Sequence, residues 1–445
     1  MLNSIKKITV FKNYHPLLTE ICKIMIVNFA VQNYKSIYQR LDLSFVAESI
    51  KQHEKDNLIE TNYQINLLKS LAIYGANASG KSNLIKALTF MRDFVLSSAS
   101  NTTPDQKINI DPFKLLIKSQ NEPSYFEIDI IVNEQRYRYS FELFKNKIEK
   151  EILTSVLKTT EKVLFRRTSN QVEFGVSFSE GYGKERFIKS TTLFLSTLAQ
   201  LNATFSSQIV EWFSNLLIIN DFNYPSFTGY TARLIKQNQH SEFILKVLRA
   251  GGLDFEGVEI KTVKVTDTIT QFLSQELNEL VKKNYPEQYQ VYIRHKVLDL
   301  DDNEVNYVDF DLKEESAGIQ KFFAISGPLI NSLLNGYPIV IDELDARLHF
   351  KLVEFIVKLF NSKRFNPFGG QLVYSNHMLD LMERQLLRRD QILLLSKDRQ
   401  QTKITSFYKQ GARSDKSFKR DYLNNEFGGI PDVEFNQLDL FDNFF

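Results

Sequence analysis

The sequence predicts an α/β protein: a core of short buried strands alternating with helices, an antiparallel β lobe, and a mainly helical insertion. Three observations predict it. Residues 68–88 read as an apolar run, a glycine-bounded loop and the start of an amphipathic helix. Residues 26–36, 41–47, 126–132 and 137–144 alternate and are rich in β-branched and aromatic side chains, the pattern of antiparallel strands near that loop. Two further apolar runs end in polar groups, 337–342 in carboxylates and 371–377 in a histidine.

The loop carries the most specific chemistry. Gly75, Ala76, Asn77, Ala78, Ser79, Gly80, Lys81 and Ser82 fit G-x-x-x-x-G-K-[ST], and Asn83 continues into the helix. A chain that wraps a triphosphate must aim several backbone N–H groups inward; Gly75 and Gly80 permit the turns, and the helix N-terminus adds its dipole. Lys81 is placed to reach the β and γ phosphates, and Ser82 to put its hydroxyl on Mg²⁺. The flanking strand and helix argue against a chance Gly/Ser loop.

Composition bounds the rest. The chain has 445 residues, room for two or three domains or one with a large insertion. Its net charge of +2 does not suggest wholesale coating of nucleic acid, and a single cysteine, Cys22, excludes internal disulfides and cysteine-based zinc sites. Residues 1–24 spread charges through their apolar positions and form no secretion signal. The most apolar window, 324–341, is interrupted by Asn331, Asn335, Gly336 and Pro338, so no membrane span is expected and a cytoplasmic protein is the simplest inference.

In chain order, residues 1–24 read as an extension outside the core. Strands over 26–36 and 41–47 precede the phosphate loop; 97–111, polar and containing Pro104, reads as a loop, and 126–132 and 137–144 as further strands. Helical patterns cover 192–201, 208–217, 241–250 and 268–283, with Gly251, Gly252 and Pro286 as punctuation. Strand-like alternation returns at 291–297 and 305–312. A helix then starts near Ser316 and runs to about Leu334, with a kink expected at Gly327-Pro328.

Asp342, at the end of an apolar strand, is a candidate Mg²⁺ ligand, and Glu343 beside it a candidate to polarise an attacking water. Ser316 and Gly318 at a helix start can form an anion site for a γ-phosphate from another subunit, and an ordinary Ser N-cap fits them equally. His377 is a structural histidine or a γ-phosphate donor; local sequence does not separate the two. Residues 381–420 hold eleven Lys/Arg against four Asp/Glu, and 421–445 hold six acids and no base. Such a basic run is a solvated face or a contact for DNA or an acidic partner.

The order phosphate loop, Ser-x-Gly, strand with Asp342-Glu343, Asp345, strand with His377 resembles the ATP-binding-cassette (ABC) ATPases. It is nearest the soluble branch with the structural-maintenance-of-chromosomes, recombination-repair and overcoming-lysogenization-defect (OLD) proteins. The resemblance implies an ABC-type P-loop NTPase core, ATP and Mg²⁺ as cofactors, and nucleotide sites shared within a homodimer or higher oligomer. It also makes Ser316 and Gly318 the signature motif, Asp345 the D-loop and His377 the switch histidine; Ser-Ala-Gly departs from the usual Ser-Gly-Gly. More narrowly, Phe29-x-Val31-x-Asn33-Tyr34-Lys35-Ser36, the stretch Asp342 to His349 and the stretch Tyr422 to Pro431 look like the bacterial abortive-infection, anti-phage ATPases of the OLD-like kind. That implies a phage-derived trigger and a separate Toprim-type nuclease effector. A DNA-repair ATPase and a nucleotide-gated scaffold are the alternative readings. The expected division is 1–24 extension, 25–190 ATPase lobe I, 191–300 mainly helical insertion, 301–410 ATPase lobe II, and 411–445 a tail for partner docking.

Overall fold

The computed structural model describes residues 24–100, 108–158, 160–221, 223–264, 287–383, 386–412 and 417–426. The chain enters through β1 (Ile24–Gln32) and β2 (Leu41–Ser44), then β3 (Leu58–Glu60), β4 (Asn66–Leu68), β5 (Ser70–Tyr74) and α1 (Lys81–Ser97). A meander follows: β6 (Ser124–Val132), β7 (Gln135–Phe144), β8 (Lys147–Val156), β9 (Glu161–Thr168) and β10 (Gln171–Phe174). Next come α2 (Phe194–Gln200), α3 (Thr204–Asn215), β11 (Leu217–Ile219), α4 (Ser226–Lys236), α5 (Ser241–Ala250), β12 (Gly257–Lys264), β13 (Glu287–Leu298) and β14 (Glu304–Asp311). The last part holds α6 (Ala317–Asn335), β15 (Ile339–Ile341), α7 (Phe350–Asn361), β16 (Leu372–Ser375), α8 (Asp380–Glu383), β17 (Ile392–Asp398), β18 (Gln401–Ser406) and α9 (Phe418–Leu423).

Two large sheets organise these elements. The first is antiparallel in the order β10-β9-β8-β7-β6-β1-β2; the second runs β11-β15-β16-β5-β17-β18, parallel except for β18. Strands β5, β15 and β16 are buried at every position, as parallel strands covered on both faces must be. Their alternate side chains enter different cores. Leu71, Ile73, Val340 and Val373 join the apolar cluster shared with α1, α2, α3 and the antiparallel lobe. Ala72, Tyr74, Ile341 and Tyr374 join the cluster formed with α4, α5, α6 and α7. The architecture is the α/β nucleotide core with an antiparallel lobe that the sequence predicts.

Buried polar side chains join the pieces. The Gln371 amide accepts from Ile26 N–H at 2.6 Å and donates to the carbonyls of Ile26 at 3.0 Å and Leu68 at 3.3 Å, next to the bulge where β1 slips against β6. It ties the antiparallel lobe to the parallel sheet. In α6, Pro328 has no N–H for the carbonyl of Ala324, and the Thr231 hydroxyl donates to that carbonyl at 2.8 Å while accepting from Gly327 N–H at 3.2 Å. Residues 317–335 form one continuous helix across Gly327-Pro328.

Among the described residues of 191–300 lie the four helices α2 to α5 together with the strands β11, β12 and β13. Leu217–Ile219 pairs in parallel with β15, so the stretch supplies the edge strand of the core, and Gly257–Lys264 and Glu287–Leu298 pair in a three-stranded sheet. Strand β11 has only three residues, too few for a period to show. The helical pattern at 268–283 lies outside the described residues, as do 1–23 and 427–445. Of the expected tail, Phe418 and Tyr422 are buried in the core, with Phe418 edge-on to Phe407 at 5.2 Å. The basic run is also partly internal: Arg388 is fully buried, paired with Asp390 and donating to the carbonyls of Glu48, Ile50 and Gln52.

Glu151 on β8 is fully buried; its carboxylate accepts from the Tyr139 hydroxyl at 2.9 Å, from Arg167, and from Phe194 N–H at 2.7 Å and Leu195 N–H at 2.9 Å at the start of α2. Glu151→Ala strands the Arg167 guanidinium in the core and is expected to cost about 3–5 kcal/mol in urea unfolding; a loss within error of zero would contradict the role given to this cluster.

Candidate active site

The carboxyl ends of β5, β15 and β16 lie side by side at one edge of the parallel sheet, where open α/β sheets carry their ligand loops. From the end of β5 the phosphate loop turns through Gly75 at φ 148°, Ala78 at φ 62° and Gly80 at φ 110° before α1 begins at Lys81. Space dictates both glycines. A Cβ on Gly75 would strike the carbonyl of Leu395 in β17, and one on Gly80 the side chain of Thr402 in β18.

A small polar network holds this loop from below. Thr402 donates from Oγ1 to the Ser79 carbonyl at 2.9 Å and lies 2.8 Å from the Ser36 hydroxyl, which also accepts from Asn83 Nδ2 at 2.8 Å. Ser36 belongs to the Asn33-Tyr34-Lys35-Ser36 stretch, and Asn33 clamps residues 113–122 through its side chain. The Lys81 amine donates to the carbonyls of Gly75 at 2.7 Å and Ala76 at 3.1 Å. Burial pulls its pKa down, and Asp342, Glu343 and Asp345 push it back up, so the three carboxylates share a field with the loop lysine.

Those carboxylates sit on a tight turn after β15. Asp342 is nearly buried, and its N–H donates to the Ile219 carbonyl at 2.8 Å, which makes the edge strand β11 part of the site. Ser375, the last residue of β16, donates its hydroxyl proton to Asp342 Oδ1 at 2.5 Å and accepts from Glu343 N–H at 2.7 Å. Glu343 is exposed and held in the left-handed region at φ 52°. Asp345 Oδ2 accepts from the backbone N–H of the exposed His377 at 2.8 Å, which ties the end of β16 to the turn. On the other side the buried Lys321 amine donates to the carbonyls of Glu343 at 2.8 Å and Ala346 at 2.9 Å.

Ser316 and Gly318 lie beyond this turn. Ser316 is the exposed N-cap of α6 and accepts from Ile319 N–H at 3.3 Å, the capping role that its sequence position allows. A Cβ on Gly318 would stand 2.8 Å from the Arg347 carbonyl, so close helix-to-turn packing by itself calls for glycine there. Arg347 continues to Tyr224, 3.1 Å from its hydroxyl, and to Asp221. The predicted residues thus fall into two groups: 75–83 with Asp342, Glu343, Asp345 and His377, and Ser316 with Gly318 on the far side of the turn.

Sequence reasoning missed Ser375, Thr402 and Lys321. Lys321 had a signal, as the lone charge in the apolar helix 317–335. Ser375 stands at the end of an apolar strand beside Asn376-His377, where a buried hydroxyl is easily passed over. Thr402 has no local signal, because only the β17–β18 pairing carries it beneath Gly80.

A glycine cradle that any Cβ would fill, a lysine on its carbonyls, a hydroxyl at Ser82 and a carboxylate at Asp342 are the donor set that fits a Mg²⁺–nucleotide. Fold and site together define a P-loop nucleotide-binding protein. More particularly, the chain belongs to the family described as "AAA domain, putative AbiEii toxin, Type IV TA system", which matches residues 70–383. No curated protein matches the chain. Among solved structures it is similar to cbiO1 of Clostridium perfringens, part of the ABC transporter complex cbiONQ, at 10% identity and a TM-score of 0.33 over 89% of this chain and 95% of that one; so distant a likeness carries no argument. Among the described residues no helix is long and apolar enough to cross a membrane.

Ser375→Ala leaves Asp342 Oδ1 and Glu343 N–H without their shared partner, a loss of about 1–3 kcal/mol. It is expected to weaken Mg²⁺-dependent nucleotide binding or turnover, and Ser375→Thr to keep them. A Ser375→Ala protein equal to wild type in both would remove Ser375 from the site.

Proposed function

We propose that this chain is a Mg²⁺-dependent ATPase of the ABC type that works as a homodimer or higher oligomer and controls a separate effector in anti-phage defence. The observation that carries the reading is the Asp342-Glu343 pair, fixed by Ser375 at the end of β15 and separated from the phosphate-loop strand β5 by β16 alone. Gly75 to Asn83 bind and orient the phosphates, and Lys81 exchanges its two loop carbonyls for phosphate oxygens. Ser82 and Asp342 hold Mg²⁺, which supplies charge neutralisation when bound. Glu343, the exposed carboxylate, polarises water, and His377 donates toward the γ-phosphate. Ser316 and Gly318, with Asp345 at the interface, complete the site of a second copy.

The defence role is supported by the OLD-like sequence features and by the family's description, which names a toxin of a type IV TA system. On this reading a phage-derived trigger changes the nucleotide state, and a Toprim-like nuclease encoded elsewhere is held or released. Direct DNA contact through the basic run has less support, because Arg388 is buried and Lys419 is paired with Asp380.

Purified Lys81→Ala is expected to lose nucleotide binding. Glu343→Gln is expected to bind ATP, to hydrolyse it about 100-fold or more slowly, and to accumulate as an ATP-held dimer in sedimentation velocity. Wild-type turnover in Glu343→Gln would take Glu343 out of the mechanism. For the effector, a nuclease encoded beside this chain is expected to co-purify with it in a nucleotide-dependent manner; DNA cleavage by this chain alone, unchanged in both variants, would contradict a separate effector.

A further inference from the structure

Lys321 is the only charged side chain between Ala317 and Asn335, and it is 1% exposed. A methionine fills the same volume without stripping an ammonium of water, so its two carbonyl partners must be the reason for the charge. Both belong to the catalytic turn: Glu343 O at 2.8 Å and Ala346 O at 2.9 Å, with the Tyr224 ring 6.0 Å away. The groups around the ammonium are mixed in sign, with Asp221, Asp345 and Glu343 attracting it and Arg347 repelling it.

The turn it grips is not relaxed. Glu343 at φ 52° and Arg347 at φ 65° are both non-glycine residues in the left-handed region, and such residues persist only where their surroundings over-determine them. The same helix touches the turn a second time through Gly318, packed on the Arg347 carbonyl. Two contacts, two and five positions from Ser316, thus tie the first turns of α6 to residues 343–347.

We propose that Lys321 is a positioning residue that couples the two nucleotide sites of a dimer. The inference rests on the shared-site reading above. In that arrangement Ser316 and Gly318 meet the γ-phosphate of ATP carried by the second copy, whereas Glu343 acts on ATP carried by its own phosphate loop. A shift of α6 toward the incoming phosphate pulls the Glu343 and Ala346 carbonyls through the Lys321 ammonium and sets the Glu343 carboxylate. Each site then reaches full activity only when the other is loaded.

The test is the dependence of ATP hydrolysis on ATP concentration in the full-length chain with Mg²⁺. Wild type is expected to be sigmoidal with a Hill coefficient approaching about 2, the number of coupled sites. Lys321→Met is expected to be hyperbolic, with turnover down about 100-fold from a misplaced carboxylate, while equilibrium ATP binding is retained. Lys321→Arg, which keeps donors for both carbonyls, is expected to restore the sigmoid. A lysine that serves only stability would lower the melting temperature and leave the curve sigmoidal, which would overturn the proposal, as would a hyperbolic wild type. If Lys321→Met does not fold, Lys321→Gln is read by the same curve. Full turnover in Ser316→Arg would sink the shared-site reading itself; loss of turnover there together with a sigmoidal Lys321→Met would sink the coupling alone.

Discussion

The site depends on the Ser375 hydroxyl having a single proton to give. That proton goes to Asp342 Oδ1, and the oxygen's lone pair takes Glu343 N–H. One buried atom therefore fixes the direction of one carboxylate and the backbone of the next. It can do so because β16 pairs in register with β15 on one side and β5 on the other, with Ser375 opposite Ile73 of β5 and Tyr374 opposite Ile341 of β15. A slip of one residue would exchange the two faces of β16 between the two apolar cores, so the packing of Val373 and Tyr374 enforces the register that the chemistry needs.

Around this junction the fold spends buried polar groups where pieces from distant parts of the chain must meet at fixed distance. Gln371 joins the antiparallel lobe to the core at Ile26, Thr402 and Ser36 brace the phosphate loop from beneath, and Lys321 grips the turn after β15 from the helix side. Each of these groups is satisfied by carbonyls, N–H groups or hydroxyls, so burial does not leave it unpaired. Apolar contacts could supply similar stability, but a hydrogen bond fixes a distance and a direction, which matters most for loops that handle phosphate.

Much of the site was legible in the sequence because its signals are local. The phosphate loop occupies eight consecutive residues, Asp342 and Glu343 follow an apolar strand directly, and the alternation at 126–132 and 137–144 matches β6 and β7 closely. What escaped is built from pairings far apart in the chain. Leu217 reads as the last residue of a helix, and Leu217–Ile219 becomes a core strand only through β15; Ser375 acts on a residue 33 positions earlier, and Thr402 on one 323 positions earlier. Gly318 carries two readings at once: its place after Ser316 suits a phosphate contact, and the Arg347 carbonyl beside it calls for a small residue as well.

The central claim is that the carboxylate of β15 and the loop of β5 hold one metal–nucleotide between them. Electron paramagnetic resonance of Mn²⁺ bound with ATP to the wild-type chain tests this most directly. Phosphorus couplings from bound ATP are expected in the wild type, and in Asp342→Asn the Mn²⁺ signal is expected to weaken markedly at the same metal concentration while the protein stays folded. An Asp342→Asn protein that holds Mn²⁺ and ATP as the wild type does, with identical couplings, would contradict the account.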